Sequence, residues 1–528
     1  MRKAICLVAA FALALGLGTA RAQATSVAAN VLIDQDHNLQ FSDNKQNEPA
    51  ITRDPFTGAL IAGANDEIDE PLCPGTTAPL SSPCPFAPGV GVNGVYRSTD
   101  GGLTWTGGTL PGTSSYVGGG DPSLDYGPAR CKGGFSWACG TTIYYSSLGD
   151  PFPEFAGEQL LVYRSHDDGA TWSTPATAAT DKTSNFADHE WIAVDRSSAH
   201  FGRVYVFWAQ YCNTCAGNGN VKLFIAHSDD EGQTWSAPLQ VSAGNNNFAQ
   251  GFRETGQLAV SAQDGTVEAF WTENADSKGK YPNLQVVAVS KDGGNSFTAP
   301  ITIAPVTDYP LTGTPFDAVD LFNRVPGMSA RVDCYPHPAA DPSSNKVYVV
   351  WCDFANGNGT VQGAVSSDGV NWTPLPGVSV SGRNAFFPAA AVSPSGRVSV
   401  AFDALTKPPA ANPWQTGVQV YDNYYAQLQP SGSWSKPLRV STASSNPDGS
   451  SYNNLMEQFL GDYIGIAAGP SAAYIVWTDA RAATPCQAVD AYRNAVYAGS
   501  KTAVAPNPDK VCATSFGNTD TELGIVDY

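Results

Sequence analysis

The chain has 528 residues with a formal net charge of −19, from 48 acidic and 29 basic residues, and 42% of its residues are hydrophobic. The hydrophobic share is ample for a large core and excludes a disordered chain. Because no basic patch offsets the acidic excess, nucleic acid is excluded as a partner.

The first 22 residues have the pattern of a secretory signal peptide. Arg2 and Lys3 precede an apolar run from Ala4 to Leu17, and a small-residue triplet follows at positions 20–22, so we expect cleavage before Gln23. No later stretch approaches the roughly 20 apolar residues that a membrane-spanning helix needs. The sequence therefore predicts an exported protein without a transmembrane segment, whether periplasmic, secreted or held at the cell surface.

Removing this segment takes away Cys6 and leaves ten cysteines, an even number that predicts disulfide bonds in an exported chain. The sequence leaves the connectivity open, but consecutive cysteines are close and we expect local pairs. Cys334 and Cys352, for example, flank what are predicted to be adjacent antiparallel strands. The pair Cys212 and Cys215 is interpreted as a loop staple and not as a redox or metal site, since no second such pair accompanies it.

A box of sequence Ser-x-Asp-x-Gly-x-Thr-Trp organises the chain. Within it, Ser and Asp side chains bond backbone amides, Gly supplies a backbone shape forbidden to other residues, and Trp packs beneath, so each box is predicted to form a hairpin turn. The final aromatics recur every 62 to 75 residues, the length of one supersecondary unit. The complete, variant, shortened and worn copies are Ser98–Trp105, Ser165–Trp172, Ser228–Trp235, Ser290–Phe297, Ser366–Trp372 and Gln427–Trp434.

A β-branched strand ending near an aromatic recurs once more often than the box, which gives seven units. Each unit supplies four strands, with the box between the third and the fourth. The predicted architecture is an all-β propeller of four-stranded blades, as a single domain over residues 23–528, with seven blades favoured and six as the alternative. The seventh unit runs from Gly461 to Val496-Tyr497-Ala498 and lacks a fourth strand. We expect Val27 to Asp34 to complete it and close the ring.

At these boxes the sequence resembles the Asp-box, or BNR-repeat, sialidase-like superfamily over essentially the whole mature chain. Members include exo-acting sialidases, other glycan-cleaving enzymes and propellers with binding or assembly roles, so the site must be argued separately. The resemblance implies a glycan or glycoconjugate partner and no cofactor. Sialidases of this superfamily hold a substrate carboxylate with three arginines and use a Tyr nucleophile assisted by Glu, with an Asp as acid/base catalyst.

In a propeller such groups gather at one mouth, on loops that enter each innermost strand or leave the second. Arg253, Arg331 and Arg383, from the fourth, fifth and sixth entrances, are predicted to converge as a carboxylate clamp. The catalytic candidates are Tyr335 as nucleophile, with Tyr463 as the alternative, Glu254 or Glu273 as its partner, and Asp462. Further polar residues at entrances and exits are Glu48, Asp121, His189, Glu190, Asp333, Asp66, Asp353, Asp403, Asp479 and Arg481.

The sequence departs from the sialidase pattern in two respects. The early Phe/Tyr-Arg-Ile-Pro motif has its nearest match at residues 51–55, where the order differs. No Asp matches the acid/base catalyst residue by residue.

A secreted sialidase-like glycoside hydrolase is thus the first hypothesis. The alternative is a non-catalytic propeller that binds glycans or proteins, and the third is a polysaccharide lyase in which Tyr335 and His337 abstract a proton. Convergence of the three arginines favours the hydrolase, and their separation onto the outer wall favours binding. His189 is interpreted as a hydrogen-bonded structural group, and acidic loops such as residues 65–67 as solvated turns, so no metal is predicted.

Overall fold

The computed structural model describes residues 26–34, 39–151, 157–181, 185–212, 220–242, 253–254, 256–273, 283–318, 322–405 and 419–528. The predicted signal peptide and Cys215 lie outside these ranges. Seven four-stranded blades form a β-propeller, as predicted with seven blades favoured over six. In the described residues, no helix is long and apolar enough to cross a membrane.

The first six blades are antiparallel sheets whose strands follow one another from the axis to the rim. Their strands are Gln46–Arg53, Leu60–Asp66, Asn93–Ser98 and Thr106–Thr109 in blade 1; Gly120–Pro128, Thr141–Gly149, Gln159–Ser165 and Ala176–Thr180 in blade 2; Asn185–Val194, Val204–Cys212, Asn220–Ser228 and Leu239–Gln240 in blade 3; Arg253–Glu254 with Leu258–Val260, Val267–Glu273, Asn283–Ser290 and Ile301–Val306 in blade 4; His337–Ala340, Val347–Asp353, Thr360–Ser366 and Thr373–Val378 in blade 5; Ala385–Val392, Val398–Leu405, Tyr421–Gln427 and Leu438–Arg439 in blade 6.

Blade 7 is assembled from both ends of the described chain. It contains Gly465–Ala468, Ala472–Asp479 and Asp520–Asp527, and the segments Ser26–Val27 and Val31–Leu32 pair with the last of these. The prediction that the N-terminal segment closes the ring is confirmed. Closure leaves no unpaired edge at the junction between the first and last blades.

The predicted extent of the seventh unit is wrong. Val496 and Tyr497 end the helix Gln487–Tyr497, and the third strand lies farther on, at Asp520–Asp527. Buried residues of this helix recur at a spacing of three and four, as at Val489, Tyr492 and Val496, which is a helical and not a strand period. The β-branched and aromatic content of the segment therefore misled the strand assignment.

Short elements lie between the blade strands. They are the strands Val90–Gly91, Val117–Gly118, Arg130–Cys131 and Gly134–Phe135, the helix Pro508–Val511, and the 3₁₀ turns Thr113–Ser115, Trp137–Cys139, Pro315–Ala318, Ala355–Gly357 and Pro447–Gly449.

The second strand of each blade is the centre of the core. All seven residues of Val347–Asp353 and all eight of Val398–Leu405 are buried, because these strands have a blade neighbour on both faces. The indoles of Trp208, Trp271 and Trp477 are almost completely buried at corresponding positions. This confirms that these aromatics pack between blades.

Each box forms the predicted turn between a third and a fourth strand. In the box at Ser228, the carboxylate of Asp230 accepts hydrogen bonds from the backbone N–H of Thr234 at 2.8 Å and from its hydroxyl at 2.7 Å. The hydroxyl of Ser228 accepts from the N–H of Gly232 at 2.8 Å, and the indole of Trp235 donates to the carbonyl of Gly232 at 3.0 Å. The Ser and Asp bonds recur in the boxes at Ser98, Ser165, Ser290 and Ser366.

In the described part of the chain, four disulfide bonds join cysteines that are consecutive in the mature sequence. They are Cys73–Cys84, Cys131–Cys139, Cys334–Cys352 and Cys486–Cys512. The expectation of local pairs is confirmed for these eight cysteines. Such bonds form and persist in oxidising compartments, in agreement with an exported protein.

A cap packs on the end of the ring at which the innermost strands begin. We use this name for the apolar cluster formed by residues 39–45, 67–88, 446–460 and 480–519, which contains the Cys73–Cys84 and Cys486–Cys512 disulfides. Lys45 forms a buried ion pair with Glu67 at 2.6 Å inside it. The cap therefore fixes one side of the opening at this end of the ring.

Replacing Asp368 of the fifth box with Ala should lower the free energy of unfolding by about 1 to 2 kcal/mol, because several charge-assisted hydrogen bonds are lost. The Asp368 carboxylate accepts from the N–H groups of Val370 and Asn371 at 2.9 and 2.8 Å and from the hydroxyl of Ser366 at 3.0 Å. Urea unfolding of both variants measures the difference. The control is Ser367→Ala at the exposed neighbour, which should change stability little; equal losses for the two variants would contradict this role of the box.

Candidate active site at the propeller mouth

Four innermost strands each contain, in their first half, one residue with an unusual backbone conformation. Glu48, Asp121, His189 and Phe387 have φ angles of 55°, 54°, 51° and 47°, in the left-handed region that non-glycine residues seldom occupy. In each of these blades the pairing of the innermost strand with its neighbour shifts register at this point. Such bulges re-aim a side chain and are common beside functional sites.

We call the opening at this end of the axis the mouth. It is formed by Glu48, Asp121, Asp188, His189, Arg331, Tyr335, Asp462 and Tyr463. These residues come from blades 1, 2, 3, 5 and 7, and the loops that lead into them.

An ion-pair network crosses the mouth. Arg331 donates to both oxygens of Asp462, from Nε to Oδ1 at 2.9 Å and from Nη2 to Oδ2 at 2.6 Å. The imidazole of His189 lies 3.3 Å from the same Oδ2. Although burial opposes ionisation, Arg331 and His189 hold the pKa of Asp462 at about 2. Asp462 is thus an ionised carboxylate that positions two cations.

Burial alone lowers the pKa of His189, but its hydrogen bond to Asp462 and the nearby Asp188 raise it to about 9. The imidazole is therefore charged at neutral pH. It is also partly accessible, with 16% of its side chain exposed. Its charge makes it a donor and not a base in the resting site.

Two phenyl rings hold the guanidinium of Arg331. Its Cζ lies 4.7 Å from the ring centre of Phe322 and 5.0 Å from that of Phe459. Cation–π contact and the two-pronged bond to Asp462 together restrict its rotation. With 22% of the side chain exposed, Arg331 presents its remaining N–H groups to the mouth.

Three carboxyl groups lie beside this network and share protons. Glu48 and Asp188 each form a side-chain hydrogen bond to Asp121. Burial, then the charge of Asp121, raises the pKa of Glu48 well above its usual range and that of Asp188 to about 7. Burial also acts on Asp121, but the bond from Glu48 and the charge of His189 lower its pKa. Asp121 is therefore the most readily ionised of the three carboxyl groups.

Amide groups fix the position of this carboxyl cluster. Asn65 donates to Glu48 at 2.6 Å, and its own carbonyl accepts from the N–H of Asp121 at 2.7 Å. Gly461, with φ of 78°, permits the chain of blade 7 to approach, because a Cβ at that position would overlap Glu48. Only glycine fits at this junction of blades 7 and 1.

Two ring pairs form the floor of the mouth. The rings of His189 and Tyr335 meet edge to face with centres 5.1 Å apart, and beneath them those of Trp191 and His337 are 5.6 Å apart. Below the mouth an axial cavity of about 350 Å³ runs between the seven innermost strands. Burial lowers the pKa of His337 to about 4, so this imidazole is neutral.

The structure brings together three of the six predicted site residues. Arg331, Tyr335 and Asp462 lie in the mouth, where the Tyr335 hydroxyl donates a hydrogen bond to the carbonyl of Asp462. The strand Arg253–Glu254 pairs with Thr272 and Glu273, but its side chains are outside the described part of the chain.

Arg383 does not join Arg331. Its guanidinium contacts the hydroxyl of Tyr424 and lies 3.9 Å from the carboxylate of Asp422, both on the third strand of blade 6. Of the predicted clamp, Arg331 is therefore the member that the structure places in the mouth. The predicted pairing of Tyr335 with His337 also differs, since the imidazole against Tyr335 is His189.

The carboxylates at the exits of the second strands have structural partners. Asp66 accepts from the Tyr96 hydroxyl at 2.7 Å, Asp479 accepts from Trp477 at 2.9 Å, and Asp403 accepts from Asn423 at 2.9 Å. Glu273 and Asp353 likewise accept from Trp271 and the N–H of Ala355. These groups hold loops and indoles in place. In the described residues, no set of three or more His, Cys, Asp or Glu side chains is arranged to hold a metal ion.

Sequence reasoning named Glu48, Asp121 and His189 as entrance residues but gave them no catalytic role. A signal is present at several entrances, because Pro follows Glu48, Asp121, Tyr335 and Phe387. A following proline disfavours the right-handed helical conformation of the residue before it, and Glu48, Asp121 and Phe387 lie at the bulges. Asp188 carries no such mark.

No protein-family model matches the sequence, and no curated protein matches it either. Among solved structures, a protein of unknown function from Dyadobacter fermentans is 17% identical, over 73% of this chain and 96% of that one, with a TM-score of 0.42. A Hadza microbial sialidase is 16% identical over 71% and 65%, with a TM-score of 0.43. A Penicillium chrysogenum α-L-arabinanase is 13% identical over 95% and 98%, with a TM-score of 0.41.

The ion pair of His189 should make stability depend on pH in the alkaline range. The pKa of His189 is about 9 in the folded protein against 6.5 for an unperturbed imidazole, so its contribution is full below about pH 6.5 and lost as the pH rises through 9. Its upper limit is about 3 kcal/mol. The stability difference between wild type and His189→Gln, from urea unfolding, should therefore shrink from about pH 6 to about pH 10.

His227→Gln provides the control for this measurement. Burial and Arg203 lower the pKa of His227, so its contribution changes only on the acid side of 6.5. A difference between wild type and His189→Gln that stays constant to about pH 10 would show that His189 is not charged by Asp462.

Proposed function

We propose that the protein is an exported glycoside hydrolase of the Asp-box, sialidase-like type, with its acid/base centre in the mouth. The arrangement that carries this is a hydrogen-bonded group of three carboxyl groups, in which burial raises the pKa values of Glu48 and Asp188 while Glu48 and His189 lower that of Asp121. Environments that push carboxyl pKa values apart provide an acid and a base at one pH, as hydrolysis of a glycosidic bond requires.

Asp188 is assigned the role of general acid. Its pKa of about 7 matches a neutral operating pH, at which a group both holds and releases its proton readily. It is partly exposed at the mouth, whereas Glu48 is buried behind it. Donation from Asp188 to the leaving glycosidic oxygen leaves an anion beside Asp121, and the charged His189 offsets it.

The remaining mouth residues bind and position. Arg331 and His189 offer N–H donors to sugar hydroxyl or carboxylate oxygens, and Asp462 keeps both in place. Burial raises the pKa of Tyr335 well above its usual range, and its hydroxyl is engaged by the carbonyl of Asp462. These contacts favour a positioning role for Tyr335 and Asp462 over the nucleophile and acid roles that the resemblance implies. Glu254 and Arg253 stay candidates from the sequence.

Activity assays on a panel of glycosides identify the substrate class. Sialosides are the first anionic members of this panel. A carboxylate clamp of three arginines is supported at one position, Arg331, and Asp462 already occupies two of its donors. Neutral glycosides therefore belong in the panel with equal weight. The activity lost by Arg331→Ala on sialosides, compared with its loss on neutral glycosides, shows whether Arg331 binds a substrate carboxylate.

A second candidate is a polysaccharide lyase, favoured by the contact of His189 with Tyr335 close to Arg331. Elimination yields an unsaturated sugar that absorbs ultraviolet light, whereas hydrolysis yields a saturated reducing end. Measuring both products separates the two reactions. A folded protein that gives neither product from any glycan would favour the non-catalytic binding role.

The variant Asp188→Asn should lower kcat about a hundredfold or more on glycosides with poor leaving groups, because it removes the proton donor without changing size. The loss should be much smaller on aryl glycosides whose leaving groups need no protonation. Kinetics on matched pairs of substrates measure both effects.

Asp181→Asn is the matched control, since burial raises the pKa of Asp181 to about 6 while Gln210, outside the mouth, is its hydrogen-bond partner. It should leave the kinetics unchanged. A loss in Asp188→Asn that is equal for good and poor leaving groups would remove the general-acid role and leave Asp188 as a structural residue.

A further inference from the structure

A group of four aromatic side chains, one exposed and three half-buried, lies on the face of the propeller opposite the mouth. Phe56 occupies the turn after Gln46–Arg53, the strand near whose beginning Glu48 lies. Phe201 is in the corresponding turn of blade 3, and Tyr126 lies near the end of Gly120–Pro128. With Trp137 they form what we call the aromatic patch. A strand of this length separates the patch from the mouth by about 25 Å.

An inserted hairpin carries Trp137 into the patch. Residues 129–140 extend the connection between the first two strands of blade 2, with the pair Arg130–Cys131 and Gly134–Phe135 and a 3₁₀ turn at Trp137–Cys139. The Cys131–Cys139 disulfide closes this loop.

The hairpin is anchored to blade 3 at two points. The N–H of Arg130 donates to Glu231 at 2.7 Å, and the ring of Phe135 covers Gly202 where a Cβ would overlap it. The insertion is therefore held rigidly against the propeller.

Trp137 is the centre of the aromatic patch. Its ring centre lies 5.4 Å from Phe56, 5.9 Å from Phe201 and 6.4 Å from Tyr126. Phe56 is 65% exposed, although its ring contacts that of Trp137. The structure gives the indole N–H of Trp137 no acceptor in the described part of the chain. The patch thus combines an open ring face at Phe56 with an available donor at Trp137.

Polar groups border the rings. The guanidinium of Arg196 lies 4.3 Å from the ring centre of Tyr126 and donates to Asp125 at 2.7 Å. A third of the Arg196 side chain is exposed. Planar guanidinium and carboxylate groups beside an aromatic ring match the alternation of hydroxyl groups and C–H faces on a sugar.

We propose that the aromatic patch is a second, non-catalytic glycan-binding site, which holds a polysaccharide chain on the face opposite the mouth. The choice of a glycan rests on the proposed function. A protein partner fits less well, because one exposed ring with three half-buried neighbours falls far short of the roughly 800 Å² per partner that a stable protein interface buries. The disulfide-closed hairpin keeps the rings in place before binding, which lowers the entropy lost on association.

Affinity electrophoresis in native gels tests this site without reference to catalysis. The gels contain soluble xylan, arabinan, a mixed-linkage β-glucan or glycol chitin, and retardation gives a dissociation constant for each. We expect at least one polysaccharide to retard the wild type and Phe56→Ala to weaken that binding about tenfold. Trp137→Ala should abolish it, and Trp137→Phe should restore part of it.

The control is Leu103→Ala, at a side chain that is also 65% exposed but lies in the first box, away from the rings. It should bind like the wild type. A wild type that no polysaccharide retards, or equal binding by Phe56→Ala and Leu103→Ala, would overturn the proposal. Concentration-dependent association that Phe56→Ala abolishes, measured by sedimentation, would show that the patch binds a second copy of the chain instead.

Separate measurements of polysaccharide binding and of catalysis distinguish a wrong assignment of the aromatic patch from a wrong assignment of the mouth. Asp188→Asn should retain full polysaccharide binding in the gels, while Phe56→Ala should retain full kcat on small soluble glycosides. Loss of binding in Asp188→Asn would place the retarding contact in the mouth and overturn the second site.

Discussion

Closure of the ring is the constraint on which the remaining structure depends. The N-terminal segment pairs with the strand Asp520–Asp527, so the ends of the chain lock the seventh blade against the first. Without that lock, the entrance to blade 7, with Gly461 and Asp462, would not be held against Glu48 of blade 1. A mouth built from five blades needs all of them in fixed relation.

Burial then sets the chemistry of the mouth. Desolvation is the largest influence on every carboxyl group there, and it disfavours ionisation. Asp462 stays charged because two cations contact it directly, and Asp121 stays charged because protonated neighbours donate to it. The bulges place carboxyl groups in a buried environment that such groups otherwise avoid. The left-handed backbone of Glu48 and Asp121 is the strain that accompanies this placement.

The repeat made most of the fold predictable. The spacing of the boxes and of the β-branched strands that end near an aromatic, such as Val204 to Trp208, predicted seven blades. Val27 to Asp34 was predicted to close the ring because it was a strand candidate outside the seven units. The insertion at residues 480–519 was misassigned since it has no counterpart in other units. The repeat also located the mouth, but not which entrance side chains meet there. Arg331 and Arg383 occupy similar sequence positions, and only the conformation of the loops decides that one faces Asp462 and the other Tyr424.

The role of Asp188 as general acid depends on the proton that its carboxyl group holds near neutral pH. Carbon-13 NMR of protein labelled at aspartate side-chain carboxyl groups, titrated between about pH 4 and about pH 9 and compared with Asp188→Asn, measures it directly. We expect one carboxyl resonance that titrates near pH 7 in the wild type and is missing from the variant. If the resonance that disappears instead titrates near 4, Asp188 is an ordinary carboxylate and the divided protonation of the mouth is wrong.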